Sequence, residues 1–196
     1  MSHQEFEAIL SVLARLVLDG RIAVLMLLLI GAAIYDYRTH RIPNRLVVCG
    51  AVFGVVYNTV FPPVFHGTIL FPLAGLAVGL VLFLPLYLIR AMGAGDVKLF
   101  AMVGAFLGPL ATFYAALATL IVGGAASLIF VFARGTAPRL FQNLASLFQV
   151  TLLGALAGAP QAPRITVQNS AGKLPYGVPI AIGTIGYLVF HQLGLI

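Results

Sequence analysis

The sequence predicts an all-α fold: a polytopic helical membrane protein with about six transmembrane helices and an N-terminal amphipathic helix. Of its 196 residues, 61% are apolar and only 8% are charged, whereas ordinary soluble domains carry about 25% charged residues. The apolar residues also stand in continuous runs, whereas the strands of an outer-membrane barrel alternate apolar and polar residues. These observations exclude a soluble globular domain, a disordered chain and a barrel.

The first twenty residues predict a helix that lies on the membrane surface. Apolar side chains recur there at helical spacing, namely at Phe6, Ile9, Leu10, Leu13, Leu16 and Val17. A cleaved signal peptide is not expected, because the leading residues include Glu5 and Glu7 instead of a basic cluster. We therefore divide the chain into this surface helix, residues 1–20, and a transmembrane domain, residues 21–196.

Six apolar runs follow, and a transmembrane helix needs roughly 20 such residues. The predicted spans are residues 22–37, 46–61, 68–89, 97–107, 111–133 and 176–196. The fourth run is too short to cross a bilayer at about 1.5 Å per residue, and the Gly108-Pro109 turn separates it from the fifth. Such a broken element requires surrounding protein or a water-filled cavity. Residues 144–158 are apolar enough for a further short span, but we expect a surface or re-entrant helix, because arginines flank them on both sides.

The basic residues predict the orientation of the chain in the membrane. Nine of the eleven fall in alternate loops, whereas the loops near residues 62–67 and 108–110 carry no charge; the nine are Arg38, Arg41, Arg45, Arg90, Lys98, Arg134, Arg139, Arg164 and Lys173. The positive-inside rule assigns these loops to the cytoplasm. The net charge of +6 therefore reflects orientation. No nucleic-acid partner is expected, since no basic cluster is interleaved with aromatic residues.

Only two carboxylates, Asp36 and Asp96, occur between residues 20 and 196. The predicted topology puts both at cytoplasmic helix ends. A carboxylate in mid-membrane costs about 2.5–3.5 kcal/mol, so such residues indicate function by default. Three interpretations are open: a proton-sharing pair of an aspartyl protease, a proton or cation relay, and simple ion pairs with Arg38 and Lys98. The single cysteine, Cys49, excludes an internal disulfide.

The residues around the two acids help to distinguish between these three interpretations. Gly93 and Gly95 precede Asp96, and glycines allow the close backbone approach that holding an extended peptide requires, although they also serve simple helix packing. After Asp36, Pro43 disfavours helix at the residue before it, and the Asn44 side chain is expected to cap the second helix. His40 is expected to be a solvated loop residue, because no second metal ligand stands at useful spacing.

Taken together, these stretches resemble the prepilin peptidases, the membrane aspartyl proteases of the GxGD class that process type IV pilin precursors. The stretches that carry the resemblance lie between about residues 22 and 183. They are Asp36 with Ile42-Pro43-Asn44, Gly93-Ala94-Gly95-Asp96-Val97-Lys98-Leu99, and Leu174-Pro175-Tyr176-Gly177-Val178-Pro179. The resemblance implies that Asp36 and Asp96 are the catalytic pair. It also implies a bacterial inner-membrane protein whose active site faces the cytoplasm, without metal or cofactor. The implied motif and substrate-seating residues are Pro43, Asn44, Gly93, Gly95, Lys98, Pro175, Tyr176 and Gly177.

Large members of that family carry a cytoplasmic domain with paired CxxC motifs, which is associated with N-methylation of the processed pilin. This chain has one cysteine, so methyltransferase activity is not expected, and the short form resembles the peptidases of tight-adherence (Flp-type) pili. The implied partners are prepilin and pseudopilin precursors, and further candidates are membrane lipid and a second copy of the chain.

Two alternative functions stay open. One is a proton-coupled transporter or channel component that uses both aspartates as relay groups, although no internal repeat supports it. The other is a non-catalytic assembly protein.

Overall fold

A computed structural model of the chain describes residues 19–61, 68–89, 91–133 and 175–194. These residues form six helices and no strand: α1 (Gly20–Thr39), α2 (Asn44–Val60), α3 (Leu70–Leu88), α4 (Ala94–Leu107), α5 (Pro109–Ala133) and α6 (Gly177–Gln192). The predicted all-α fold class is confirmed. The predicted surface helix in residues 1–20 falls almost wholly outside the described residues, and residues 144–158 fall outside them entirely.

Three of the helices are long and apolar enough to cross a membrane, namely α1, α3 and residues Pro109–Phe130 of α5. The apolar helix α2 is shorter, at 17 residues. Large apolar side chains point outward from the three long helices; examples are Leu27, Val81 and Ile121, each more than 60% exposed. Such positions suit contact with lipid, and the chain is a helical membrane protein.

The chain divides into two compact units. The first comprises residues 1–124 and 175–196, and its described part contains α1 to α4, the first two thirds of α5, and α6. The second comprises residues 125–174, of which the structure describes the end of α5. All contacts discussed below lie within the first unit.

The short helix α4 lies at the centre of the first unit, where it contacts α1, α2, α3 and α6. Eleven of its 14 residues are buried. A helix that is apolar on every side must be surrounded by other elements, and this agrees with the prediction that the fourth run is too short to cross and requires a protein environment. One of its side chains, Phe100, stacks on Phe83 of α3 at 4.1 Å between ring centroids.

Glycines bring the backbones of α3 and α4 into direct contact. A Cβ atom on Gly75 would collide with the carbonyl oxygen of Gly104, and one on Gly79 would lie 2.7 Å from the carbonyl oxygen of Phe100. Small residues allow this close approach between membrane helices, where packing supplies much of the association energy. The contact fixes the position of α4 along α3, and thereby the position of Asp96 at its start.

Polar side chains hold the other end of α4. The last carbonyl groups of a helix have no partner within it. Here the buried Asn58 of α2 donates from Nδ2 to the carbonyl oxygens of Ala105 at 2.7 Å and Phe106 at 3.0 Å. The Arg21 guanidinium donates in turn to Oδ1 of Asn58 at 3.1 Å. Helix α4 ends at Gly108, whose φ of +79° favours glycine, and α5 begins at Pro109, so the predicted separation of the fourth and fifth runs at Gly108-Pro109 is confirmed.

Candidate active site

The two aspartates lie at the same end of the bundle. Asp36 is in the last turn of α1, and Asp96 is in the first turn of α4. The starts of α2 and α6 lie at this end as well, because Asn44 accepts a hydrogen bond from Lys98 and Gly177 donates one to Asp36. The structure therefore brings together three stretches that are widely separated in sequence.

Asp36 is buried, with 4% of its surface exposed. Its carboxylate Oδ2 accepts a hydrogen bond from the backbone N–H of Gly177 at 2.8 Å. Gly177 is the first residue of α6, so this N–H has no acceptor within its own helix. A Cβ atom on Gly177 would lie 2.9 Å from Oδ2 and 3.0 Å from Cβ of Asp36. The absence of a side chain at this position therefore permits the hydrogen bond.

Asp96 is also buried, with 8% of its surface exposed. It occupies the third position of α4, and its Oδ2 accepts a hydrogen bond from the backbone N–H of Gly93 at 2.9 Å. A carboxylate that reaches back to the N-cap residue in this way is one half of a capping box. The same turn supports the loop that follows α1, since a Cβ atom on Gly95 would lie 3.2 Å from Cβ of Ile42.

The two carboxyl groups are close enough for a Coulombic interaction between them. Within the described residues, neither carboxyl forms an ion pair with an arginine or lysine. The ion pair found there joins Arg21 to Asp19 at 3.8 Å, at the opposite end of α1. Lys98 instead donates to Oδ1 of Asn44 at 3.2 Å, and Arg38 is exposed. The described contacts thus lack the ion pairs with Arg38 and Lys98 that were one interpretation of the sequence.

The expectation that the Asn44 side chain caps α2 is wrong. The N-cap of α2 is Pro43, whose backbone is extended with φ −64° and ψ 122°, and no side chain caps the helix. An N-cap residue requires such a non-helical backbone, and the ring of Pro43 favours this φ value. Asn44 is therefore already the first helical residue, and its side chain is available to Lys98.

The remaining motif residues lie at the start of α6. The carbonyl oxygen of Pro175 accepts from the N–H of Val178 at 3.2 Å, and that of Tyr176 accepts from Ile180 at 3.1 Å. A Cβ atom on Gly123 of α5 would lie 3.7 Å from the Tyr176 ring. These contacts set the first turn of α6, and with it the direction of the Gly177 N–H toward Asp36.

The expected loop residue His40 is exposed and ends α1. Its φ is +50°, in the left-handed region, and its N–H bonds to the carbonyl oxygen of Asp36. Within the described residues, no group of three or more His, Cys, Asp or Glu side chains could hold a metal ion. The described acids at this end of the bundle are two buried carboxyls, each of which accepts a hydrogen bond from one backbone amide.

The sequence interpretation missed one polar contributor, Asn58, which fixes the far end of the helix that carries Asp96. A signal for it was present, since Asn58 is a single amide inside the apolar run of residues 46–61. A buried polar side chain requires a hydrogen-bond partner. The pattern did not show what that partner is, because the carbonyls that Asn58 binds lie 47 and 48 residues further along the chain.

Residues 23–128 match the model of the type IV leader peptidase family. The match covers more than half of the chain and includes both aspartates, together with Pro43, Asn44, Gly93, Gly95 and Lys98. No curated protein and no solved structure matches the chain. The family match confirms the resemblance to prepilin peptidases. The chain belongs to the type IV leader peptidase family.

Proposed function

We propose that this protein is a membrane-embedded aspartyl endopeptidase that removes the leader from type IV prepilins, with Asp36 and Asp96 as its catalytic pair. The observation that carries the proposal is the burial of both carboxyls at one end of the bundle, within Coulombic reach of each other and without an ion pair to a described lysine or arginine. Membership of a leader peptidase family supports the substrate class.

When two buried carboxyls approach each other closely they do not both ionise, because like charges repel and water is largely excluded. In the proposed mechanism Asp36 and Asp96 share one proton in this way. The ionised carboxylate removes a proton from water as the water oxygen attacks the scissile carbonyl carbon. The protonated carboxyl donates a hydrogen bond to the carbonyl oxygen and transfers its proton as the tetrahedral diol forms. The carboxyl that gained the water proton then protonates the amide nitrogen. The C–N bond breaks, one diol proton returns to the pair, and the products are a carboxylic acid and a new amino terminus.

The two backbone donors orient the carboxyls for this reaction. Gly177 and Gly93 each bond to Oδ2 of one aspartate. Neither Oδ1 atom accepts a hydrogen bond from the described residues, and in the proposed mechanism these two oxygens interact with water and substrate. A hydrogen bond from a fixed amide favours the charged form of a carboxylate without itself adding charge.

The residue that precedes α4 and the first residue of α4 suit the binding of a peptide in an extended conformation. Gly93 and Ala94 are exposed and carry little or no side chain, so a peptide backbone can approach the chain closely beside Asp96. The exposed side chains of Lys98 and Asn44 lie along the same end of the bundle. We propose that these residues and the Pro175–Gly177 stretch seat the leader.

The proposed substrates are precursors of Flp-type pilins and related pseudopilins, in keeping with the resemblance noted in the sequence. The proposed location is the bacterial cytoplasmic membrane, with this end of the bundle toward the cytoplasm. The positive-inside rule supports that orientation, because Arg38, Arg41, Arg45 and Lys98 all lie at this end. The cut then falls at the membrane boundary.

The test is co-expression with an Flp prepilin, followed by separation of precursor and mature pilin on a gel. Asp36→Asn and Asp96→Asn keep the size of the side chain and remove the acid, and each is expected to lower cleavage by about four orders of magnitude. The matched control is Asp19→Asn at the opposite end of α1, since asparagine also caps helices well and Asp19 accepts from the N–H of Arg21.

All three variants must accumulate in the membrane to the level of the unmodified protein. Undiminished cleavage by Asp36→Asn or Asp96→Asn would exclude the proposed pair. A different result would support the relay interpretation instead. In that case, vesicles that contain the protein would take up protons without any substrate, and the same substitutions would abolish the uptake.

A further inference from the structure

Exposed positive charge surrounds the end of the bundle that carries the aspartates. Arg38 lies in the last turn of α1, Arg41 in the loop that follows, and Arg45 in the first turn of α2, and all three side chains are exposed. We call these three residues the arginine surface. None of them forms an ion pair with the described acids, and the two acids at this end are buried. The surface charge is therefore not neutralised by the described part of the chain.

The arginine surface lies at the level expected for lipid headgroups. Helix α1 has 20 residues, which at about 1.5 Å per residue is the length of the hydrocarbon layer. Tyr35 and Tyr37, near its end, are 47% and 71% exposed. Tyrosine is enriched where membrane meets water. The three arginines follow directly after these residues, and we therefore expect them at the depth of the phosphate groups.

Contacts with the rest of the fold hold the loop of the arginine surface in place. The Thr39 hydroxyl oxygen lies 2.9 Å from the carbonyl oxygen of Tyr35 and 3.1 Å from that of Arg41, and its single proton can bond to either. Ile42 packs on Gly95, and the Lys98–Asn44 hydrogen bond ties the start of α2 to α4. The backbone positions of the three arginines are thus fixed relative to one another, which lowers the entropy lost when they bind a ligand together.

We propose that the arginine surface binds the phosphate groups of anionic phospholipids. A guanidinium group bonds to phosphate through two parallel N–H donors, and three such groups on a fixed loop favour a lipid with net negative charge over a zwitterionic one. The bound lipid neutralises the charge at this end of the protein. Because Ile42 of the same loop packs on Gly95, the lipid also holds the loop against the first turn of α4.

The test measures lipid binding directly and does not depend on peptidase activity. Phosphatidylglycerol with a fluorescent acyl chain is titrated into the full chain in a neutral detergent, and phosphatidylcholine with the same label is titrated in parallel. The unmodified protein is expected to prefer phosphatidylglycerol, and each of Arg38→Gln, Arg41→Gln and Arg45→Gln is expected to weaken its binding about fivefold. The triple glutamine variant is expected to bind the two lipids equally.

A triple lysine variant is the matched control, because it keeps the charge and loses the paired donors. It is expected to retain most of the preference. Circular dichroism and thermal melting check that each variant is folded. If the triple variant is not folded, the single variants alone test the proposal. Equal binding of the two lipids by the unmodified protein, or an unchanged preference in the folded glutamine variants, would overturn the proposal. So would release of the lipid by millimolar inorganic phosphate, which indicates a site for a free anion, or tighter binding of an acidic peptide, which indicates a protein partner.

Discussion

The backbone N–H of Gly177 donates a 2.8 Å hydrogen bond to Oδ2 of Asp36, which precedes it by 141 residues. The bond joins the start of the last described helix to the end of the first. It means that α6 helps to orient one of the two proposed catalytic acids, although α6 contributes no acidic side chain of its own.

The first prediction concerns this contact. In Gly177→Ala the new methyl group would lie 2.9 Å from Oδ2 of Asp36, so either the carboxyl or the start of α6 must move. Displacement of a catalytic group by about 1 Å can cost a hundredfold in rate, and we expect kcat/KM for leader cleavage to fall by about that factor. Gly186→Ala is the control, since a Cβ atom there meets nothing within 4 Å in the same helix. Equal activity of the two variants would contradict the orienting role.

The second prediction concerns the two acids as a unit. Groups that act in one chemical step are not additive when they are removed. The double variant Asp36→Asn/Asp96→Asn is therefore expected to lose no more activity than the more impaired single variant. The measurement is single-turnover cleavage with enzyme in excess, which detects low residual rates. A double variant whose loss equals the product of the two single losses would indicate that the acids act independently.

The third prediction concerns the contact between α3 and α4. In Gly79→Ala the methyl group would lie 2.7 Å from the carbonyl oxygen of Phe100 and 3.1 Å from Cα of Ala101. Overpacking of this kind costs about 1–3 kcal/mol, and we expect a lower melting temperature in detergent. Gly124→Ala on α5 is the control, because its Cβ atom would meet nothing within 4 Å. A melting temperature at or above that of the control would show that α3 and α4 separate without cost.

The fourth prediction concerns the far end of α4. Asn58→Leu keeps the approximate volume but removes the donor to the carbonyl oxygens of Ala105 and Phe106. Leaving buried polar groups unsatisfied costs about 1–3 kcal/mol, so the melting temperature is expected to fall. In the neighbouring control, Thr59→Val, an exposed hydroxyl that bonds within its own helix is lost, and a small change is expected. If the two variants melt alike, the amide of Asn58 does not hold α4.

Much of the architecture could be predicted because it follows from composition and local rules. The apolar runs gave helix positions close to those observed, and the short run before Gly108-Pro109 pointed to the enclosed helix α4. The charges of the loops put Asp36 and Asp96 at one end of the bundle, and the structure places both residues at the same end.

Such rules do not predict contacts between segments that lie far apart in the sequence. The hydrogen bond from Gly177 to Asp36 depends on how α6 packs against α1, which no spacing in the sequence encodes. The capping role predicted for Asn44 is wrong because a capping preference considers only neighbouring residues. In the structure Pro43 is the N-cap residue, and Asn44 accepts a hydrogen bond from Lys98 of another helix.

The enclosure of α4 has a consequence for how the protein is made. A 14-residue helix with eleven buried residues presents almost no side to lipid, so it has no stable place in a bilayer until α1, α2, α3 and α6 surround it. Since α6 follows α4 in the chain, the proposed catalytic pair lacks the donor to Asp36 until α6 has been synthesised and inserted. A nascent chain that stops before Gly177 carries both acids and lacks the donor to Asp36. The protein is thus expected to reach full activity only after α6 has joined the bundle.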